Sequence, residues 1–210
     1  MEAYDYAAKA STVKIDDIAT DGFISALGCN GSILRWIKEN DPKCVELCVS
    51  GVRLVTSWYC PEDSFRCPES ARQLGWLGYF VGENTHLKEL TFYYNHENQC
   101  FSNDAIKSFC KGLNINRSIQ KFELDSMDLY GGEIFETLRP FFENNHNLSE
   151  LVVKQCKFGD GCARHFAMAL KDCSKSLKHI KLEGNEIRGG KLSEIIETLS
   201  MNPQLEVEES

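Results

Sequence analysis

The sequence has few of the features that mark enzymes, membrane proteins and secreted proteins. It contains no G-x-S-x-G, H-E-x-x-H or paired C-x-x-C motif. Its most apolar run, which starts at Leu74, is far shorter than the roughly 20 residues that cross a bilayer. Residues 1–17 hold early acidic residues and no apolar segment, which argues against a secretory signal. We therefore expect a non-enzymatic protein of the cytoplasm, with the nucleus as the alternative compartment.

Basic residues are neither in excess nor clustered along the chain. The formal net charge is −8 and the sequence pI is about 5.2. Nucleic acids and anionic membrane surfaces bind basic stripes, so neither is expected as the main partner. The hydrophobic content of 42% in 210 residues is sufficient for one folded domain or one repeat array.

Apolar residues recur with a period of 28 to 32 residues through most of the chain. The spacing between the first and second repeats is longer. The position that opens each repeat is held by Cys44, Leu87, Ile119, Leu148, Leu177 and Leu205.

Each repeat combines a strand pattern with a helix pattern. In the repeat that starts at Leu177, Ile180 and Leu182 alternate as in a short strand, and residues 192–199 have the three-and-four spacing of an amphipathic helix. One such unit cannot bury its apolar face alone, so the copies must stack. The predicted inward-facing helix residues are Leu74, Leu77, Phe80, Val81, Ile106, Phe109, Leu113, Ile134, Leu138, Phe142, Phe166, Ala167 and Leu170.

Strand pattern, helix pattern and period together resemble the long leucine-rich repeats of the ribonuclease-inhibitor-like class, which includes Ran GTPase-activating proteins and NOD-like receptors. The resemblance covers about residues 44 to 205. It implies an α/β leucine-rich repeat solenoid, curved as a horseshoe arc, with a parallel sheet on the concave face and helices on the convex face.

The chain divides into three predicted regions. Residues 1–43 form a tail, loose to about residue 12, and a helical cap of two short helices, the second ending near Pro42. Residues 44–205 hold about five to six repeats, with an insertion near 56–70 and a short one near 93–98. Residues 206–210 form an acidic end, whose charges would protect the sheet edge against further stacking; the alternative is that the chain is a fragment of a longer array.

A polar residue stands three positions before each opening apolar residue. It is asparagine in four repeats, Asn84, Asn116, Asn145 and Asn202, and Ser174 or Asp41 in the other two. Asparagine tolerates the left-handed backbone conformation and can bind neighbouring backbone groups. We expect both properties at these helix-to-strand turns.

Two segments approach known chemical motifs. The segment from Gly184 is similar to a phosphate-binding loop, but it lacks the required lysine and hydroxyl at their positions. Cys60 and Cys67, together with His96, could hold zinc or form a redox pair, although their spacing is atypical and ordinary reduced cysteines are favoured. We predict no cofactor and no metal.

Outward-facing strand residues form columns on the concave face, because equal positions of parallel strands stack about 4.8 Å apart. We predict that this face binds another protein, with aromatic side chains as anchors. The predicted partner-binding residues are Glu46, Glu89, Thr91, Tyr93, Tyr94, Lys121, Glu123, Asp125, Glu150, Lys154, His179, Lys181 and Glu183.

The predicted function is that of a monomeric, non-catalytic scaffold that binds a basic or amphipathic protein segment. Two alternatives remain open. One is a GTPase-activating protein of the Ran type, although no catalytic residue of that family matches here. The other is a substrate receptor of a ubiquitin ligase, although residues 1–43 lack the Leu-Pro opening of an F-box.

Overall fold

The computed structural model describes residues 5–14, 18, 29–50, 65–66, 71–93, 102–127, 129, 132–171, 176–185, 187, 189–199 and 202–209. Two helices and two strands come first, and from there on helices and strands alternate along the described chain. The elements are α1 (Tyr6–Lys9), α2 (Cys29–Lys38), β1 (Glu46–Ser50), β2 (Phe65–Arg66), α3 (Ala71–Glu83), β3 (Glu89–Tyr93), α4 (Asn103–Leu113), β4 (Lys121–Asp125), α5 (Glu133–Asn144), β5 (Glu150–Lys154), α6 (Asp160–Leu170), β6 (His179–Glu183), α7 (Gly189–Leu199) and β7 (Glu206–Glu209).

All seven strands form one parallel sheet in the order β2-β1-β3-β4-β5-β6-β7. The pairing joins equal positions of successive repeats, so that Phe122 lies opposite Leu151 and Leu151 lies opposite Ile180. The helices pack on the other side of the sheet from the outward-facing strand residues. The predicted leucine-rich repeat solenoid, with its parallel sheet, helical side and N-terminal helical cap, is confirmed. None of the described helices is long and apolar enough to cross a membrane.

The core lies between the sheet and the helices. Phenylalanines connect the layers: Phe92 of β3 lies 5.2 Å from Phe109 of α4, and Phe122 of β4 lies 5.6 Å from Phe141 of α5, measured between ring centroids. Each fully buried side chain of this size contributes about 2 kcal/mol through removal from water. The predicted helix residues are buried apart from Ile134, which is half-buried because Phe135 takes the inward position at the start of α5.

The N-terminal cap differs in part from the prediction. Helix α2 buries Ile33, Leu34 and Ile37 against the first repeat, as expected, but Trp36 is 45% exposed. Residues 6–9, expected in a loose tail, form one helical turn because Tyr6 packs edge-on against Trp76 at 5.0 Å. The first predicted cap helix lies outside the described residues apart from Ile18, which is buried.

Most of the long insertion at 56–70 and of the short insertion at 93–98 also lies outside the described residues. Within the described part, residues 65–66 pair in parallel with Val49 and Ser50. A short strand from the insertion therefore lies beside β1 at this edge of the sheet.

The asparagines at the helix-to-strand turns bind backbone groups, as predicted. Asn116 is fully buried, and its side-chain oxygen accepts from the backbone N–H groups of Ser118 (2.8 Å) and Ile119 (3.0 Å). Its Nδ2 donates to the carbonyls of Val81 (2.7 Å) and Asn84 (3.0 Å) in the preceding repeat. One side chain thus closes its own turn and fastens it to the neighbouring turn.

The same arrangement recurs along the stack. The side-chain oxygen of Asn84 accepts from His86 and Leu87, and that of Asn145 accepts from Asn147 and Leu148. Each of these asparagines also donates to a carbonyl of the preceding unit. Buried backbone groups need such partners, which explains why asparagine recurs at this position.

The predicted left-handed conformation at these asparagines is wrong. Asn145 has φ −88° and ψ 97°, an extended conformation that aims its side chain at the following N–H groups. Left-handed residues instead follow β4, β5 and β6, at Ser126 (φ 58°), Gln155 (φ 49°) and Gly184 (φ 60°), spaced one repeat apart; Asn40 (φ 55°), at the end of α2, is a left-handed asparagine outside the repeated position. A sharp change of chain direction therefore follows each of these three strands.

Helices α3 and α4 approach each other more closely than side chains would allow. Gly78 of α3 and Gly112 of α4 face each other, and a Cβ added to either would overlap backbone atoms of the other helix. A Cβ at Gly82 would likewise meet the carbonyl of Gly112. Direct backbone contact between the helices therefore requires glycine at these positions.

Gly112→Ala is expected to lower the free energy of unfolding by about 3 kcal/mol, because the added methyl group must push two helix backbones apart. Gly190→Ala in α7 is the matched control, since no atom lies within 4 Å of its added Cβ. We expect this control to be neutral or stabilising by about 0.5 kcal/mol. Urea unfolding of both variants measures the difference, and equal midpoints would contradict the close helix contact.

Asn116→Ala is expected to cost about 3 kcal/mol, because it removes the side-chain acceptor of two buried N–H groups and the shorter of two hydrogen bonds to the Val81 carbonyl. Asn202→Ala is the comparison, since Asn202 is only partly buried and its side-chain oxygen accepts from Gln204 at 3.2 Å. We expect its cost to be about 1 kcal/mol. Thermal or urea unfolding tests the order of the two effects, and a larger loss at Asn202 would show that burial does not set the cost.

Candidate interaction surface

The outward-facing side chains of β1 and β3–β7 form three columns across the sheet, which together we call the concave face. The register of the paired strands determines which residues belong to each column. The first column contains Glu46, Glu89, Lys121, Glu150, His179 and Glu206. The second contains Cys48, Thr91, Glu123, Val152, Lys181 and Glu208, and the third contains Ser50, Tyr93, Asp125, Lys154 and Glu183. The structure thus brings together every predicted partner-binding residue except Tyr94, which lies outside the described residues.

Carboxylates outnumber cations on this face. Its ionisable side chains are eight carboxylates, three lysines and one histidine. Two of the carboxylates, Glu206 and Glu208, belong to β7 and were missing from the predicted set. Leu205 opens the β7 repeat, so the same period could have placed both glutamates in the columns.

Most of the cations already contact a carboxylate. Lys181 Nζ lies 2.8 Å from Glu150 Oε1 on the neighbouring strand, and His179 Nδ1 lies 3.3 Å from Glu206 Oε2. Lys121 Nζ lies 3.7 Å from Glu123 Oε2 on its own strand. The acidic excess of the face is therefore concentrated at carboxylates outside these three pairs.

The pKa values of two carboxylates on the concave face are shifted in opposite directions by their surroundings. The hydrogen bond from Lys181 lowers the pKa of Glu150 below its ordinary value of 4.5. Burial raises the pKa of Glu123, although Lys121 opposes this effect. The pKa of Lys181 is raised by its hydrogen bond to Glu150. Burial thus dominates at Glu123, whereas the hydrogen bond between Glu150 and Lys181 dominates at that pair.

Glu46 and Glu89 differ from the paired carboxylates, and they lie at the β1 and β3 end of the first column. They lie directly opposite each other on neighbouring strands, and both are exposed. Like charges in facing positions repel each other. This end of the face is therefore suited to a cation that approaches both carboxylates.

The apolar part of the face is small. Tyr93 is half-buried at the end of β3. Val152 belongs to the second column but is only 5% exposed. Lys181 lies opposite Val152 and reaches diagonally to Glu150, which places the aliphatic part of the lysine over the valine. Tyr93 is the aromatic member of the three columns.

Three of the described cysteines, Cys110, Cys156 and Cys162, are buried. Burial raises the pKa of Cys110 and of Cys156 to about 12, so neither is a reactive thiolate at neutral pH. Cys156 Sγ donates to the carbonyls of Leu124 and Lys154. Packing accounts for both residues.

The proposed zinc or redox residues Cys60, Cys67 and His96 lie outside the described residues. Among the residues that are described, no group of three histidine, cysteine or acidic side chains could hold a metal. The segment similar to a phosphate-binding loop has a structural role, because Asn185 accepts from the Cys156 N–H at 2.9 Å and donates to the Val153 carbonyl at 2.7 Å.

The helical side contains an open groove of about 670 Å³ that the sequence did not indicate. It runs across α4, α5 and α6. Two ion pairs line it, Lys107 with Glu133 at 2.7 Å and His165 with Glu136 at 2.8 Å. These exposed pairs bridge successive helices and contribute little to stability.

Structural comparison places the fold among known repeat proteins. The chain is similar to the solved structure of leiomodin-1 actin-binding site 2, with a TM-score of 0.54 and 16% sequence identity over 82% of this chain and 88% of that one. It is also similar to the C-terminal domain of tropomodulin from Caenorhabditis elegans, with a TM-score of 0.54 and 14% identity over 82% of this chain and 92% of that one. No family model and no curated protein matches the sequence. At these identities the similarity establishes the leucine-rich repeat fold.

The pKa of Glu150 tests the electrostatics of the face. Lys181→Gln is expected to raise this pKa toward 4.5, because the lysine hydrogen bond that favours the carboxylate is removed. In the parent protein the folded-state pKa lies below that of the unfolded chain. The stabilising contribution is therefore complete above the unfolded pKa and is lost as the pH falls through the folded pKa.

Carboxyl-carbon NMR during a pH titration measures the effect. Lys154→Gln is the control, because Lys154 is not among the groups that shift the Glu150 pKa. An unchanged Glu150 pKa in Lys181→Gln would show that the ion pair does not form in solution.

Proposed function

We propose that the protein is a non-catalytic scaffold that binds another protein through its concave face. The observation that carries this proposal is the register of the sheet, which collects eight carboxylates against three lysines and one histidine on one continuous surface. An open array of side chains on paired strands offers a docking surface to another protein.

The charge of the face favours a basic or amphipathic segment as the partner. Lys121, Lys181 and His179 already contact carboxylates, so a partner that brings lysine or arginine meets unneutralised glutamates at Glu46 and Glu89. Charge complementarity of this kind increases the association rate and selects among partners. Tyr93 lies at the end of the same strand as Glu89 and supplies an aromatic contact.

The comparisons add support from proteins of the same fold. The solved leiomodin-1 structure is that of an actin-binding site, so a related arrangement of strands and helices serves protein recognition there. We propose protein recognition for the present chain on this ground together with its own charge pattern. Its partner-binding residues are the predicted set on the concave face.

The repeat length supports a finer assignment. A period of 28 to 32 residues with an α-helix in each complete described repeat is typical of the ribonuclease-inhibitor-like class, and we propose this class for the chain. We further propose that it acts as a monomer in the cytoplasm or the nucleus, without nucleic-acid or membrane partners. The acidic composition supports the last point.

Affinity capture from a cytoplasmic extract tests the proposal. The chain carrying Glu46→Gln, Glu89→Gln and Tyr93→Ala is expected to lose at least one protein that the parent chain retains, with a loss of more than about 1 kcal/mol in binding free energy. The reason is that the variant removes the unpaired charge and the aromatic contact from one end of the face. Mass spectrometry identifies the retained proteins, and calorimetry with the purified partner gives the affinity.

The matched control carries Glu136→Gln and Glu194→Gln, which lie exposed on the helical side. It changes the net charge by the same amount without touching the concave face. A partner lost equally from both variants would indicate a general charge effect, and a partner lost from the control alone would place binding on the helices and refute the proposal.

A further inference from the structure

We propose that a hollow among the helix-to-strand turns binds an acidic segment of another protein. The turns concerned are residues 84–88, 114–120 and 145–149, which lead from α3, α4 and α5 into the next strands and which together we call the turn edge. The turn edge lies where β3, β4 and β5 begin, and it shares no residue with the columns of the concave face. The inference does not depend on the proposed function, because it concerns a second surface of opposite charge.

Backbone hydrogen bonds stack the three turns in register. The carbonyl of Lys88 accepts from the Gln120 N–H at 2.7 Å, and the carbonyl of Gln120 accepts from the Ser149 N–H at 2.8 Å. In addition, Asn147 Nδ2 donates to the Arg117 carbonyl at 2.7 Å. Side chains from neighbouring turns are therefore held beside one another, although they are one repeat apart in sequence.

The charge of the turn edge is opposite to that of the chain as a whole. The three turns contain no aspartate or glutamate, and they contain Lys88, Arg117, His86 and His146. By contrast, the whole chain has a formal net charge of −8. Stacking thus collects cations that are scattered along the sequence on a surface without acidic residues of its own.

Lys88 and Arg117 line one open hollow of about 330 Å³ on the turn edge. Ile115 lines it as well, and its side chain is 45% exposed. The Cγ1 atom of Ile115 lies where a Cβ on Gly82 of α3 would stand, so the isoleucine packs closely on that helix. Polar side chains complete much of the wall, namely Thr85, Ser118 and Asn147. The hollow therefore combines two cations with an apolar contact.

The guanidinium group of Arg117 is held in place and keeps donors to spare. Its Nη1 donates to the carbonyls of Asn114 at 3.0 Å and Asn116 at 2.9 Å. Neither Nε nor Nη2 has an acceptor among the described residues. These two nitrogens form the edge of the planar group that can donate two parallel hydrogen bonds to one carboxylate. Because the backbone already fixes the group, a carboxylate binds there with little further loss of side-chain freedom.

The ammonium group of Lys88 also has no ion-pair partner in the described part of the chain. Other lysines differ in this respect, because each contacts a glutamate within 3.7 Å: these are Lys107, Lys121, Lys181 and Lys191. A second carboxylate of the ligand can therefore approach Lys88 without displacing an existing pair.

A short acidic peptide segment fits the hollow better than a nucleic acid. The net charge of −8 repels a long chain of phosphates. A segment with two carboxylates interacts mainly with the nearest charges, because salt at physiological concentration screens interactions beyond about 8 Å. The exposed Ile115 favours an aliphatic residue between the two carboxylates. Glu83, at the end of α3, also lines the hollow and opposes a more highly charged ligand.

Binding of a fluorescently labelled peptide, in which leucine stands between two glutamates, tests the inference. Its affinity for the full chain is measured by anisotropy. The control peptide has glutamine in place of both glutamates, and we expect it to bind at least about tenfold more weakly. A peptide with phosphoserine in place of the glutamates and a ten-nucleotide thymidine DNA strand test the two other kinds of anion. We expect both to bind more weakly than the glutamate peptide.

Substitutions in the hollow locate the site. Lys88→Gln with Arg117→Gln should weaken binding at least about tenfold, and Lys88→Gln alone, which removes no hydrogen bond, about threefold. Glu83→Gln should strengthen binding about threefold, because it removes a repulsive charge from the wall. The matched control is Lys107→Gln with Arg164→Gln, which removes one lysine and one arginine from the helical side outside the hollow. We expect this control to change the affinity by less than about twofold.

Side-chain NMR gives an independent measurement. The Nε–H signal of Arg117 and the δ1-methyl signal of Ile115 are expected to shift along the same curve as the anisotropy. No binding of the glutamate peptide would overturn the inference, as would an equal loss in the control variant or binding without a shift at Arg117. Tighter binding of the phosphoserine peptide or of DNA would overturn the choice of an acidic segment.

The outcome is separate from that of the proposed function. The Lys88→Gln and Arg117→Gln variant is expected to retain proteins whose capture needs Glu46 and Glu89, because its substitutions lie outside the concave face. Failure of the glutamate peptide to bind would thus leave the concave face as proposed, and loss of capture through that face would leave the hollow as inferred.

Discussion

The structure depends on one constraint, which is that each strand-and-helix unit can bury its apolar face only against a copy of itself. Equal positions therefore have to meet equal positions, and the register of the parallel sheet follows. Phe122, Leu151 and Ile180 lie in one row for this reason. The same register that builds the core also fixes the opposite face of the sheet, so the charges of the concave face are placed by the packing beneath them.

Buried asparagines hold the units together at their turns. The side chain of Asn116 binds two N–H groups of its own turn and two carbonyls of the preceding repeat. Apolar packing alone has no direction and would tolerate small shifts between neighbouring repeats. A buried carboxamide with four specified partners does not, because any shift leaves polar groups without hydrogen bonds in the interior.

Periodicity was sufficient to predict the strands, the helices and most of the core, because stacking repeats must obey one spacing. It was less informative where a residue serves a purpose other than packing. The asparagines were expected in a left-handed conformation, but Ser126, Gln155 and Gly184 occupy that conformation after the strands. A sequence pattern gives the positions of the turns but does not determine their backbone dihedral angles. The direction in which Lys181 reaches, and hence the burial of Val152, likewise depends on contacts between strands.

The glycine contact between α3 and α4 has a consequence for the shape of the sheet. Strands in a sheet are about 4.8 Å apart, whereas packed helices are usually separated by about 8 to 10 Å, and this difference in width makes a repeat array bend. Where Gly78 meets Gly112, the helix layer is locally narrower. We therefore expect a smaller bend behind β1 and β3 than behind β4 to β6. A ligand lying over Glu46 and Glu89 would meet a comparatively level surface, whereas one placed over Glu150 and His179 would lie in the more strongly curved part.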